Sequence, residues 1–187
     1  VLVGIDASGL ELRMLAHYLN DEEITYEVTN GDIHTANQRL ANLESRDKAK
    51  TFVYALLYGA RDKKLGEVVG GTEADGRRAR QHFLDGRKIK IRTAHASLNS
   101  LLQGAGAIIM KKALCLLDNY IRDNNLEAKF VANIHDEWQI EAESTKENAT
   151  AVGEFGIKAI QEAGEHFVLR CPLTGEYKIG EDWSETH

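Results

Sequence analysis

Asp6 closes the apolar run VLVGID, and 130 positions later Asp136 lies inside His135-Asp136-Glu137, between two runs of strand character. Each marks a place where a buried strand surfaces at a carboxylate, and convergent carboxylates at strand ends are how a protein holds divalent metal ions. Between them lies RDKAKTFVYALLYG, in which Arg46, Lys50, Tyr54 and Tyr58 recur every four residues. On an α-helix that spacing drifts by only about 40° per step, so two cations and two aromatic rings form one stripe. Carboxylates for metal, cations for phosphate and rings for a base are the parts of a site that joins nucleotides.

Charge distribution agrees with that reading once it is resolved along the chain. The net charge of −6 is unexpected for a polyanion binder. From Arg46 to Lys112, however, 15 Lys or Arg stand against 6 Asp or Glu, whereas from Glu137 to His187 the count is 4 against 11. Affinity for nucleic acid follows the local field and counterion release, so the middle third is the candidate nucleic-acid face. Solvated helix faces with no partner are the plainer explanation of the same charges. Cys115 and Cys171 form neither a CxxC pair nor a metal-ligand cluster, which suits two core residues in a reducing, cytoplasmic compartment. No run approaches the roughly 18 apolar residues of a membrane span, and no charged-then-apolar leader precedes Val1, so no membrane partner is expected. A chain that opens on a strand without methionine is expected to be a fragment.

A length of 187 residues with 43% hydrophobic content suffices for one substantial core, divisible into two subdomains. Val1 to Ile5 reads as a central strand turned by Ser8-Gly9, and Leu12, Leu15, Ala16 and Leu19 follow helical spacing. A short helix is expected from Asp32 to Leu43 with Asp32 as N-cap, then the striped helix from about Arg46 to Tyr58. Thr72 and Asp75 resemble a capping box opening a basic helix, and Lys88 to Arg92 alternates as a half-exposed strand. A long helix follows from about Ala96 to Arg122, loosened by Gly104 and Gly106. Phe130 to Ile134 and Trp138 to Glu141 flank His135-Asp136-Glu137 as a hairpin presenting Asp136 at its tip. Thr145 to His166 is helical in pattern, and Tyr177 to Trp183 supplies a last strand or tail. The order predicts an α+β fold with a small antiparallel sheet flanked by helices.

The chemistry can be set beside plainer readings residue by residue. Nucleotidyl transfer develops charge on both attacking and leaving oxygens, which two divalent ions about 3.5 to 4 Å apart can stabilise. Asp6 and Asp136 are the candidate bridging ligands, although an Asp after a strand is, taken singly, more often a turn or cap residue. Mg²⁺ is the natural ion, with Mn²⁺ as substitute, since it accepts a few carboxylates and completes its octahedron with phosphate and water. Arg46 offers a planar fork to phosphate oxygens, and Lys50 a compact charge that can donate a proton to departing pyrophosphate. As a purely solvent-facing pair, two cations four apart would only repel. Tyr54 and Tyr58 on spacing alone would more often be core. Asn99 and Gln103, also four apart, put two amides on one helix face, where they could read minor-groove acceptors without much sequence preference.

DASGLELRMLAHYLND, RDKAKTFVYALLYG and HDE stand in the order found in the DNA polymerase I family, or A-family, and the chain resembles that family from Val1 to about Trp183. GDIHTANQ, DGRKIKIRTAHASLN and LLQGAGAI resemble its bacteriophage branch most. The resemblance implies a DNA-directed DNA polymerase using primer-template DNA and dNTPs. It further implies a palm at residues 1–33 and 86–187 and helical fingers at 34–85. The Ala7 carbonyl would be a further metal ligand and Glu137 a catalytic-site residue in a supporting position. His34 would join Arg46 and Lys50 on the triphosphate, Tyr54 and Tyr58 would face the nascent base pair, Glu11 would exclude a 2′-hydroxyl, and His135 would touch the primer terminus. By the same resemblance the thumb and any exonuclease would precede Val1, a processivity factor would bind outside the chain, and His82-Phe83-Leu84 passes into Asp85-Gly86 where relatives carry several tens of further residues. Two other classes compete. A non-catalytic binding module would tolerate loss of Asp6 or Asp136, and a metal-dependent nuclease would not need the Arg-Lys-Tyr-Tyr helix.

Overall fold

The computed structural model describes residues 1–35, 45–47 and 97–187. The chain divides into two compact units, Val1–Leu10 with Gly106–His187, and Glu11–Ala105.

The first unit is built on a four-stranded sheet, β1 (Leu2–Ala7), β2 (Ala128–Ile134), β3 (Glu137–Ala142) and β4 (Gly175–Gly180). The order is β2-β3-β1-β4 and every pairing is antiparallel. Alternation along each strand separates two faces. One carries Val3, Ile5 and Ala7 of β1 beside Trp138, Ile140 and Ala142 of β3, all buried. Complete burial of each large aliphatic side chain contributes about 1.5–3 kcal/mol. Helix α4 (Lys146–His166) covers this face and is capped by Thr145, whose hydroxyl accepts from Asn148 N at 3.4 Å. Its buried row, Ala149, Val152, Gly156, Ala159 and Ala163, is mostly small, and the size matters. A Cβ on Gly156 would overlap Ile5, and one on Gly153 would overlap the Tyr177 ring, so the helix lies close to the sheet because those side chains are missing.

Helix α1 (Leu10–Leu19) follows the turn at Ser8-Gly9, where Gly9 takes φ +60°. Its core residues Leu12, Met14 and Ala16 are buried. Helix α2 (Glu22–Asn30) was not expected from the sequence; Asp21 caps it by accepting from Ile24 N at 2.9 Å. Helix α3 (Ser97–Asp123) buries Leu98, Leu101, Leu102, Ala105, Ile109, Ala113 and Leu117, the three-and-four spacing of a core stripe. Over Leu98–Asp123 it is long and apolar enough to cross a membrane, with a mean hydropathy of 1.4, which corrects the expectation that no such stretch exists. Half of that apolar window is buried within the protein, as for a core helix. Gly106, read from the sequence as loosening this helix, faces Leu10, whose Cδ2 would lie 3.0 Å from an added Cβ. Helix α5 (Trp183–Thr186) ends the described fold, capped by Asp182. The expected elements at residues 72–80 and 88–92, and most of those at 32–43 and 46–58, lie outside the described residues.

Candidate active site

Register builds the second face of the sheet. Antiparallel pairing sets Asp6 opposite Glu137 on one side and Glu176 on the other, so the three side chains emerge on the same face. One step along, Gly4 stands between Gln139 and Lys178 in the same way. Strand β1 runs through Ala7, so Asp6 lies within the ladder rather than beyond it. Ile134 pairs with Glu137, leaving His135 and Asp136 as a two-residue turn, and exposed His135 adopts φ +55° to make it. Ala7 N donates to the Asp136 carbonyl at 3.0 Å, which ties the turn to the end of β1. The two carboxylates singled out from the sequence are thus brought together.

Their electrostatics are unbalanced. The Asp6 carboxyl is pushed up to about 6, first by burial, then by Asp136, Glu176 and Glu137, against the opposing pull of His187. Such crowding favours any bound cation that removes the repulsion. The donors are oxygens throughout, which suits a hard ion such as Mg²⁺. Among the described residues no group of three or more His, Cys, Asp or Glu side chains forms a ready-made metal cage. The fit is to an ion held by a few carboxylates and completed by other ligands.

Glu137 shares the address but not the condition. Burial works against its charge, yet hydrogen bonds from Gln139, His187 and Trp183 outweigh it and hold the carboxyl below its ordinary range. Oε1 accepts from Gln139 Nε2 at 2.5 Å and Trp183 Nε1 at 3.0 Å, while Oε2 lies 2.6 Å from His187 Nδ1. Thr186 Oγ1 donates to Gln139 Oε1 at 2.8 Å. Thr186 also crosses directly over Gly4, where an added Cβ would overlap its carbonyl.

In the second unit, Asp32 accepts from His34 N at 3.1 Å and Thr35 N at 3.3 Å, as the expected cap would. It also meets Arg46, whose Nε donates to Asp32 Oδ2 at 2.7 Å. His34 is buried. Glu11 stands in the first turn of α1 and accepts from Gln103 Nε2 at 3.3 Å, so the Gln103 amide expected to face a minor groove reaches this carboxylate. Asn99 is half-buried on α3. Lys50, Tyr54 and Tyr58 lie outside the described residues. Sequence reasoning missed Glu176, Gln139, Trp183 and His187. Only the alternation in Gly175–Gly180 hinted at Glu176, and nothing local announced the other three.

The first unit is thus an α+β domain whose antiparallel sheet presents carboxylates from its second-from-edge strand and an adjoining hairpin turn, with α4 behind it. The structure matches the POL domain of Pol1 from M. smegmatis, solved with DNA primer-template and dNTP, at a TM-score of 0.76 and 21% identity, covering 99% of this chain and 40% of that one. The chain belongs to DNA polymerase family A, whose sequence profile matches residues 1–90 and 76–185. It is 37% identical to the DNA-directed DNA polymerase of Enterobacteria phage T3 and 36% identical to that of Escherichia phage T7. Both matches cover all of this chain and 33% of the relative, so the chain spans about a third of their length.

Proposed function

We propose that the chain provides the palm (residues 1–33 and 86–187) and part of the fingers (34–85) of a DNA-directed DNA polymerase of bacteriophage type, acting in the cytoplasm of a bacterial host. The carrying observation is the convergence of Asp6 and Asp136 with Glu176 in a family A chain, where crowding raises the Asp6 carboxyl to about 6. Asp6, Asp136 and the Ala7 carbonyl would hold two Mg²⁺ ions, with Mn²⁺ as substitute. Bound there, such ions supply charge stabilisation to the attacking and leaving oxygens.

The chain's own residues do the rest. Arg46 and His34 grip the triphosphate, and Lys50 gives a proton to the departing pyrophosphate. Tyr54 and Tyr58 test the shape of the nascent pair, and Glu11, steadied by Gln103, fills the space a 2′-hydroxyl would need. His135, exposed at the hairpin tip, meets the primer terminus, while Asn99 faces the minor groove. Glu137 supports the site by anchoring α5 beside it. The profile matches overlap at residues 76–90, around Leu84-Asp85, which supports a shortened fingers segment. Primer extension on a recessed template with Mg²⁺ and dNTPs tests the reading. Template-directed addition that vanishes in Asp6→Asn is expected; addition that survives that change refutes it.

A further inference from the structure

We propose that Asp32 is a positioning residue for nucleotide binding: it holds the Arg46 guanidinium by Nε so that the remaining edge of the fork faces the incoming triphosphate. This rests on the reading of Arg46 as a triphosphate ligand and adds to it the group that aims it.

The geometry separates the work of the two carboxylate oxygens. Oδ1 accepts the backbone N–H groups of His34 and Thr35. Oδ2 accepts Thr35 Oγ1 at 2.8 Å and Arg46 Nε at 2.7 Å. Three bonds from its own turn fix the Asp32 side chain before Arg46 arrives from 14 residues further along. A carboxylate held in this way is a rigid anchor. Its bond with Arg46 and, after it, its bonds with Thr35 hold the carboxyl far below its ordinary range, so the anchor is ionised at neutral pH.

Stability does not account for the pair. Its side chains are 51% and 42% exposed, and ion pairs so open to water contribute little to folding. Orientation is a different matter. Arg presents five N–H donors in a planar fork, and a partner at Nε leaves the edge formed by the two terminal amino groups for bidentate phosphate contact. An untethered guanidinium would have to be ordered when substrate binds, at a cost in affinity. Because the same carboxylate caps the turn that carries His34, one side chain sets the position of two groups assigned to the triphosphate.

The test is single-nucleotide incorporation in the full natural protein that carries this chain, with Asp32→Asn as the central variant because it keeps acceptor Oδ1 for the turn and loses the charge. Expected is a rise of about tenfold in KM for dNTP, the size of one charge-assisted hydrogen bond, with kcat within about threefold. Asp32→Glu should recover part of the loss, and equilibrium dialysis of dNTP gives the same comparison without turnover. Added to Arg46→Ala, the Asp32→Asn change should cost less than about twofold more. A large effect of Arg46→Ala with none of Asp32→Asn leaves the triphosphate reading standing and overturns the positioning role. Full additivity in the double variant overturns it as well. If Arg46→Ala itself has no effect, the reading and the inference fall together.

Discussion

Asp6 sits among acids and Asp32 sits on a cation. The Asp6 carboxyl is raised by burial and by Asp136, Glu176 and Glu137, whereas Asp32 is lowered by its bond to Arg46 and by Thr35. Among the described residues one site crowds carboxylates against each other with His187 as the opposing pull, and the other is matched by Arg46. The difference teaches how to separate a ligand site from a strut. Unmatched charge held half-buried by a sheet register is a standing cost, recovered when something binds. Glu137 makes the distinction sharper. It stands next to Asp6 in the ladder, yet it has been given its donors and behaves as Asp32 does.

The largest test of the contrast is at the unmatched site. Asp6→Asn or Asp136→Asn should reduce primer extension by at least about 10³-fold. Primer-template affinity should stay within about threefold, because the basic residues are untouched. Near-normal turnover in either variant would erase the contrast between ligand and strut.

Glu137→Ala comes next. It leaves Trp183 Nε1 and the buried Gln139 amide without their acceptor, and should cost about 2–3 kcal/mol of stability by urea denaturation. Unchanged stability would mean that α5 is held by something other than this carboxylate.

A smaller effect has the opposite sign. In Mg²⁺-free buffer at neutral pH, Asp6→Asn should raise the thermal midpoint by about 2–4 °C, since it relieves repulsion that solvent partly screens. The pH window follows from the shift. The folded Asp6 carboxyl titrates at about 6 and the unfolded one near 3.8. Stability from its bound proton is therefore complete below 3.8 and lost as pH rises through about 6. Protons also compete with metal, so Mg²⁺ should raise the wild-type midpoint more at pH 7.5 than at pH 5. Equal shifts at both pH values would remove Asp6 from the cation's ligands. Smallest of all, Asp32→Asn should lower the midpoint slightly, in contrast to Asp6→Asn; a rise would show that Arg46 is not its working partner.

Strands β1 to β3, the hairpin, α3 and α4 were legible because their signals are local, whereas the expected strand or tail from Tyr177 to Trp183 is a strand at Gly175–Gly180 followed by α5. Alternation marks β3, a three-and-four stripe marks α3, and Thr145 marks the start of α4. The meeting of Asp6 with Asp136 was legible because both lie at the ends of apolar runs. Helix α2 was not, since EEITYEVTN mixes β-branched residues with acids and buries none of them, and its clearest cue is the Asp21 cap. Glu176 was only hinted at, for another reason. Nothing near it in sequence says that it pairs with Asp6, 170 positions away, and pairing alone puts it in the site. The grip of Trp183 and His187 on Glu137 is long-range in the same sense. The first strand was expected to end at Ile5, two residues early, because a carboxylate reads as a boundary, whereas here Asp6 continues the ladder.

The position of β1 between β3 and β4 has a consequence for synthesis. Both of its neighbours lie 130 or more positions downstream, since its register partners run from Glu137 to Glu141 and from Gly175 to Gly180. At roughly 5–20 residues per second, a ribosome completes that interval on the order of ten seconds after making β1. Until then the strand has two open edges and the apolar Val3 and Ile5 uncovered, a state in which strands pair with the wrong neighbours. The acidic row also cannot exist on the nascent chain before Glu176 emerges. A growing polypeptide therefore holds no finished cluster of carboxylates, and β4 completes it.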